Sequence, residues 1–232
     1  MAAPRRPARS RRRASPAARG ETLTDRAYTA LEEMIVRLEL KPGSAVSEAE
    51  VSARLGIGRT PVREALQRLA RERLVTILPR RSIIVSEIDV RRQLRLLELR
   101  REVERLVARS AARRASDAER ARFGALATAF EASARDNDDI AFMRVDREFN
   151  ELCVAAARNE FAAGAMRLTH ALSRRFWFLH YKQAADMPLT ATLHADIARA
   201  IAAGDQDAAA RALDRLLDTI EAFTRATVTT EF

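Results

Sequence analysis

From residue 88 to residue 227 every segment of this chain repeats apolar residues at three- to four-residue spacing, in runs near 88–115, 117–135, 138–157, 160–185, 189–203 and 206–227. That period belongs to a helix. The stretch carries no strand alternation and no internal repeat. Ser116-Asp117-Ala118-Glu119 fits a capping box, and Asn137, Asn159, Met187-Pro188 and Gly204-Asp205 punctuate the remainder. Amphipathic helices with no sheet to cover bury their faces against one another. Residues 88–228 are therefore expected to form an all-α six-helix bundle.

Residues 21–87 read differently. Tyr28, Leu31, Ile35 and Leu38 mark one amphipathic helix, ended by the turn Lys41-Pro42-Gly43. Ser47-Glu48-Ala49-Glu50 fits a second capping box, opening a short helix that runs to about Leu55. Gly56-Ile57-Gly58 makes a tight break. A third helix follows with Pro61 in its first turn, where a missing amide costs little, and with Val62, Leu66 and Leu69 facing inward. Two β-prone runs, Val75-Thr76-Ile77 and Ser82-Ile83-Ile84-Val85, flank Leu78-Pro79-Arg80-Arg81 and read as a hairpin. Helix, helix, turn, helix and hairpin in this order make a winged helix-turn-helix. The expected fold is mainly α: this small winged unit, then the bundle.

Charge divides the chain again. Of the net +9, the first 20 residues supply +7, from seven Arg and no acid. Rich also in Pro, Ala and Ser, residues 1–20 read as a disordered arm that either touches phosphates or merely solubilises the chain. They lack the apolar run of a signal peptide. No stretch approaches the length of a membrane span. The remainder is nearly neutral except between Arg54 and Arg81, where eight Arg oppose Glu64 and Glu72. A basic patch beside a basic arm suits a polyanion; an Arg-biased composition that puts Arg on every surface explains it equally. The single cysteine, Cys153, excludes a disulfide scaffold and a multi-cysteine metal site. It fits a reducing compartment and sits in an apolar stretch as a core residue. There is no phosphate-cradling glycine loop, paired-carboxylate motif or zinc-protease histidine pattern, so no enzyme site competes.

The segment from Gly58 to Leu69 carries the sharpest functional signal. Val62, Ala65, Leu66 and Leu69 form one dry face, while Arg59, Arg63 and Gln67 recur at i, i+4 and i+8 on another. Such a helix suits a DNA major groove, where Arg donates two hydrogen bonds to guanine O6 and N7. Thr60, beside Pro61 at the helix start, is placed for phosphate, favoured by the helix dipole. Arg80 and Arg81 at the hairpin tip are candidates for a minor groove or a phosphate clamp. Arg68 and Arg71 read better as solvated surface.

Arg59-Thr60-Pro61-Val62-Arg63-Glu64-Ala65-Leu66, preceded by Val46-Ser47-Glu48, Leu55-Gly56-Ile57 and the turn Leu40-Lys41-Pro42-Gly43, resembles the GntR family of bacterial regulators over about residues 23–85. The resemblance implies a winged helix that binds palindromic double-stranded operators as a homodimer. In that pattern Arg59 and Arg63 read bases, and Thr60 and the wing tip touch backbone or minor groove. Gly58 replaces the usual Ser cap, Arg73 stands where a Gly usually ends the recognition helix, and Ser82 replaces the wing glycine.

The helical half is similar to the effector domain called FCD. The likeness rests on Leu97–Glu104, on Asp146-Arg147-Glu148-Phe149-Asn150 with Ala157-Arg158-Asn159, and on His194–Ile201 with Gly204-Asp205. It implies a small-molecule effector, commonly an organic acid, near a divalent metal held by one Asp and three His. Here Asp146 and His194 match, but the other two histidine positions are Asn150 and Leu216. No cofactor is assigned, and a divalent metal, which Asp146, Asn150 and His194 would hold, is disfavoured. Asp146, Asn150 and His194 would instead line a polar pocket, or Asp146 and His194 would be satisfied core groups.

His170, Arg174, Trp177 and Tyr181 follow i, i+4, i+7 and i+11, and their shared face is a second effector candidate with Arg100 as a further carboxylate ligand. The alternative is an aromatic belt at a dimer interface. Leu168, Leu172, Phe176 and Leu179 occupy the adjacent face. His180 receives no role.

These readings combine into a cytoplasmic, nucleoid-associated DNA-binding regulator, a repressor relieved by its effector being the commonest mode the resemblance implies. Activation, an effectorless DNA-binding dimer and, more remotely, a metal-dependent enzyme are the alternatives.

Overall fold

The computed structural model describes residues 21–78, 82–184 and 186–229. Helix α1 (Leu23–Val36) starts at Thr22, whose hydroxyl accepts from the Asp25 amide while the Asp25 carboxylate returns the bond. It ends before Leu38, which lies in a turn at φ 60° and not in the expected helical stripe. Gly43 turns the chain at φ +75°, a left-handed backbone that a side chain would strain.

Strand β1 (Ala45–Val46), helix α2 (Glu48–Leu55), helix α3 (Arg59–Arg71) and strands β2 (Val75–Ile77) and β3 (Ile83–Val85) complete the head. Ser47 caps α2, accepting from the Glu50 amide at 3.4 Å. The sheet is a three-stranded antiparallel one in the order β1-β3-β2, rather than a bare hairpin. Val75 pairs with Val85, and Val46 with Ile83. Inward side chains from α1, α3 and the sheet form one core, including Leu31, Ile35, Leu66, Leu69 and Val85.

Six helices follow: α4 (Val90–Arg114), α5 (Asp117–Asp136), α6 (Asp139–Ala157), α7 (Glu160–Ala184), α8 (Met187–Ala203) and α9 (Gln206–Thr229). The α5 capping box forms in both directions between Ser116 and Glu119. Arg158 also donates to Glu119, and these bonds draw its carboxyl down to about 2. Apolar α8 runs between α5 and α9. Phe123, Phe130, Ile197, Ile201 and Leu217 fill the bundle core. Cys153 is buried in it, and burial raises its thiol well above the ordinary value, as a core cysteine requires.

The head docks on α6 and α7. Ala171 of α7 joins the head core. Arg175, 3% exposed, donates from Nη1 to the Ser86 carbonyl at 2.7 Å and from Nη2 to the Glu87 carbonyl at 3.2 Å, pinning the linker. Its burial lowers its pKa to about 10. No described helix is long and apolar enough to cross a membrane.

Candidate DNA-reading helix and effector cavity

Helix α3 buries Val62, Ala65, Leu66 and Leu69 and exposes Arg59, Thr60, Arg63 and Gln67. Its N-cap, Gly58, makes no side-chain cap bond, so the first-turn amides lack a protein acceptor there and Pro61 withholds one amide. An open helix start beside exposed arginines is suited to phosphate. Arg63 does not project freely. Its Nε lies 3.0 and 3.1 Å from the two Glu48 carboxylate oxygens, and its Nη2 lies 2.7 Å from Oε2.

Arg68 belongs to the opposite side of the helix. Its guanidinium sits 3.6 Å from the Tyr28 ring centroid, a cation–π contact of about 0.5–1 kcal/mol. The Tyr28 hydroxyl donates to Glu72 at 2.7 Å, and Thr24 donates to Glu64 at 2.7 Å. Helix α1 is thereby bolted to the reading helix. Arg80 and Arg81 lie outside the described residues.

In the bundle a small cavity of about 60 Å³, partly open to solvent, lies among α4, α6, α7, α8 and α9. Seven of the eight effector candidates line it: Arg100, Asp146, Asn150, His170, Arg174, Trp177 and His194. Tyr181 is the exception. It stands one turn further along α7, stacked on Trp177 at 4.5 Å and hydrogen-bonded to Asp139, and it lines an outer groove with Arg37 and Arg144. Spacing placed it on the correct face, but eleven residues carry it about 16 Å along the axis, beyond the cavity.

The cavity polar groups are partly paired. Asp146 Oδ1 lies 3.3 Å from His194 Nε2 and accepts from Asn150 Nδ2 at 2.9 Å. Burial alone would raise the Asp146 carboxyl; the His194 bond and charge, helped by Arg174 and His170, take it below its ordinary value. His194 Nδ1 meets the Thr190 carbonyl at 2.8 Å. Arg100 donates to Glu104 on its own helix at 2.5 and 3.2 Å. Two buried nitrogens of the cavity residues have no hydrogen-bond partner, His170 Nε2 and Arg174 Nε.

The winged head matches the description "Bacterial regulatory proteins, gntR family" over residues 23–85, and the bundle matches the FCD domain over residues 95–219, more than half of the chain. The chain belongs to the GntR family.

This GntR chain is 28% identical over 197 residues to the HTH-type transcriptional repressor RspR of Escherichia coli K12, covering 83% of the chain and 85% of RspR. It is 46% identical over 77 residues to an HTH-type transcriptional regulator from an unstable DNA locus of Streptomyces ambofaciens, a match spanning 33% of each protein. The solved structure of E. coli McbR/YncC shares the fold, with a TM-score of 0.74 at 18% identity over 89% of this chain and 99% of that one. The chain is thus a DNA-binding transcription regulator with an FCD effector domain, and not an enzyme by family.

The metal that FCD domains commonly hold does not fit the residues of this GntR chain. The missing imidazoles decide this: the Asn150 amide donates into Asp146, where the family places an imidazole. Leu216 is packed in the core. No group of three His, Cys, Asp or Glu side chains among the described residues is placed to hold a metal ion.

Sequence reasoning missed Ser173, Thr190 and Phe142 as cavity walls. Thr190 was findable, four residues before His194 on one helix face. Glu48 and Glu33 were missed as partners of Arg63 and Arg174, and no local spacing announces either pair.

Proposed function

We propose that this chain is a homodimeric repressor, working in the cytoplasm on nucleoid DNA, whose grip on its operator is controlled by a small carboxylate-bearing metabolite bound in the bundle cavity. Arg59, Arg63 and Gln67 read bases. Thr60 and the amides near Pro61, with Arg80 and Arg81 on the wing, hold backbone. The observation that carries the effector reading is the cavity itself. It gathers two guanidiniums, two imidazoles and a Trp ring around buried nitrogens that lack partners. Unpaired buried donors cost free energy that a bound anion recovers. Repression is supported by the name of RspR.

Dimerisation is supported by α4. Leu96, Leu99, Val103 and Leu106 follow a three–four–three stripe, with Leu99 46% and Leu106 48% exposed. Such a stripe is a helix-packing seam.

A thermal-shift screen of small carboxylic acids, paired with fluorescence anisotropy on DNA from upstream of the gene, tests the reading. An acid that raises the melting point and releases the operator is the expected result. The cavity is small, about 60 Å³, which favours an effectorless dimer as the second reading. If no acid shifts the melting point, that second reading stands instead.

A further inference from the structure

Arg174 faces two ways. With His170 and Trp177 it lines the bundle cavity, yet its Nη2 donates to Glu33 Oε2 of the head, 3.4 Å away. Its side chain is 13% exposed, and its Nε is buried without a partner. The other cavity guanidinium, Arg100, is matched by Glu104 within the bundle. Arg174 feels the Asp146 charge but makes no ion pair with a bundle carboxylate among the described residues; the carboxylate it pairs with, Glu33, belongs to the DNA-reading half.

Glu33 is lightly held. Besides Arg174 it meets only Arg147, at 3.4 Å, among the described ion pairs, and its side chain is about a third exposed. The same helix carries Thr24 and Tyr28, which bond to Glu64 of α3 and to Glu72, its C-terminal cap residue. A change at Glu33 is therefore felt by the reading helix through short side-chain bonds.

We propose that Glu33 is the resting anion of the effector cavity: its carboxylate holds a guanidinium that an anionic effector takes, so ligand and DNA-binding head compete for Arg174. This rests on the effector reading above. A guanidinium fork pairs best with one carboxylate at a time. An anion inside the cavity meets Arg174 in a drier place than Glu33, a third exposed, does, and the same charges attract more strongly there. Once Arg174 turns inward, α1 keeps only the Arg147 end of the cluster, and the head is freed to reorient. The competition is reciprocal: whatever tightens head docking weakens the ligand by the same factor.

The test uses the full chain and formate, the smallest carboxylate, with chloride at equal ionic strength as control. Hydrogen exchange of the α1 amides is followed in wild type, Glu33→Gln, Arg174→Met and the double variant. Without ligand, each single change should speed α1 exchange about fivefold or more, and the double should add little, because both break one contact. Formate should speed α1 exchange in wild type and leave both single variants unchanged. Additive single effects, or formate indistinguishable from chloride in wild type, overturn the proposal. An acid from the carboxylate screen that stabilises wild type and Arg174→Met equally also overturns it while leaving the effector reading intact. If the single variants are coupled as expected but no carboxylate binds, the effector reading fails and the competition fails with it.

Discussion

Arg63, on the exposed face of the reading helix α3, is clamped by both carboxylate oxygens of Glu48 on α2, with contacts of 2.7–3.1 Å. The hydrogen bond and charge of Glu48 raise the Arg63 pKa. The clamp fixes the direction of the guanidinium and cancels its charge, two effects that pull DNA binding in opposite directions.

Arg63→Ala should lower discrimination between operator and scrambled duplex about tenfold to a hundredfold while leaving the oligomer intact. Glu48→Gln should do the reverse to nonspecific affinity, freeing one cation and steepening the salt dependence by about one phosphate contact, yet it should also blur selectivity. Fluorescence anisotropy at several salt concentrations reads both. Wild-type selectivity in Arg63→Ala would remove this residue from the base-reading set.

Arg73 closes the head of the winged unit at φ 62°, a left-handed backbone that a side chain strains. Arg73→Gly should therefore stabilise the protein by about 0.5–1 kcal/mol after the entropy of glycine in the unfolded chain is subtracted. A melting point raised by about 2 °C, with operator binding retained, is the expected reading. A lower melting point would mean that Arg73 contributes packing beside α4 that outweighs its backbone strain.

Much of this fold was legible because its signals are local. The helical period, the Ser116–Glu119 box and the Gly204 break each act within a few residues. Strand β1 escaped notice because a two-residue strand has no period to read; its pairing with β3, Ala45 with Ile84 and Val46 with Ile83, is tertiary. The cavity was legible as four separate helix faces: Arg100 alone, Asp146 with Asn150, His170 with Arg174 and Trp177, and His194 alone. That these faces meet, and that Glu33 reaches Arg174 across 141 residues, is decided by packing angles that no spacing encodes.

His170 should make the protein acid-sensitive. Burial lowers its pKa, with Arg100 and Arg174 pushing the same way and Glu104 and Asp146 opposing. An unfolded histidine titrates near about 6.5, so below that pH the unfolded chain binds a proton that the folded one refuses. Stability is complete above about pH 6.5 and falls as the pH drops toward the lower folded pKa. Melting points of wild type should decline as the pH falls below about 6.5, and His170→Gln should flatten part of that decline. Parallel curves would place the acid sensitivity elsewhere.

The donor set around Asp146 predicts weak metal binding. Purified protein should hold well under one equivalent of zinc or nickel by elemental analysis, and a chelator should leave its melting point unchanged. Asn150→His restores one imidazole at the i+4 position and should raise zinc affinity by about tenfold or more, because neutral imidazole is a far better zinc ligand than an amide. A stoichiometric metal in the wild type would show that the His194 and Asn150 bonds yield to an ion.

The stripe on α4 makes the last prediction. Leu99 and Leu106 are each nearly half exposed on one helix face, with Leu168 and Leu179 of the packed neighbour α7 also exposed, 41% and 39%. Burying a leucine contributes about 1.5–3 kcal/mol, and a twofold interface counts each residue twice. Leu99→Glu combined with Leu106→Glu would force like charges into that seam. Light scattering should then report a mass halved from that of wild type, and operator affinity should fall, since one head reads only half of a palindrome. Circular dichroism separates this from unfolding, because the bundle core lies on the opposite side of α4, at Leu97, Val107 and Ala111. Helical content should hold while the dimer is lost. A double variant that stays dimeric would move the interface to another face.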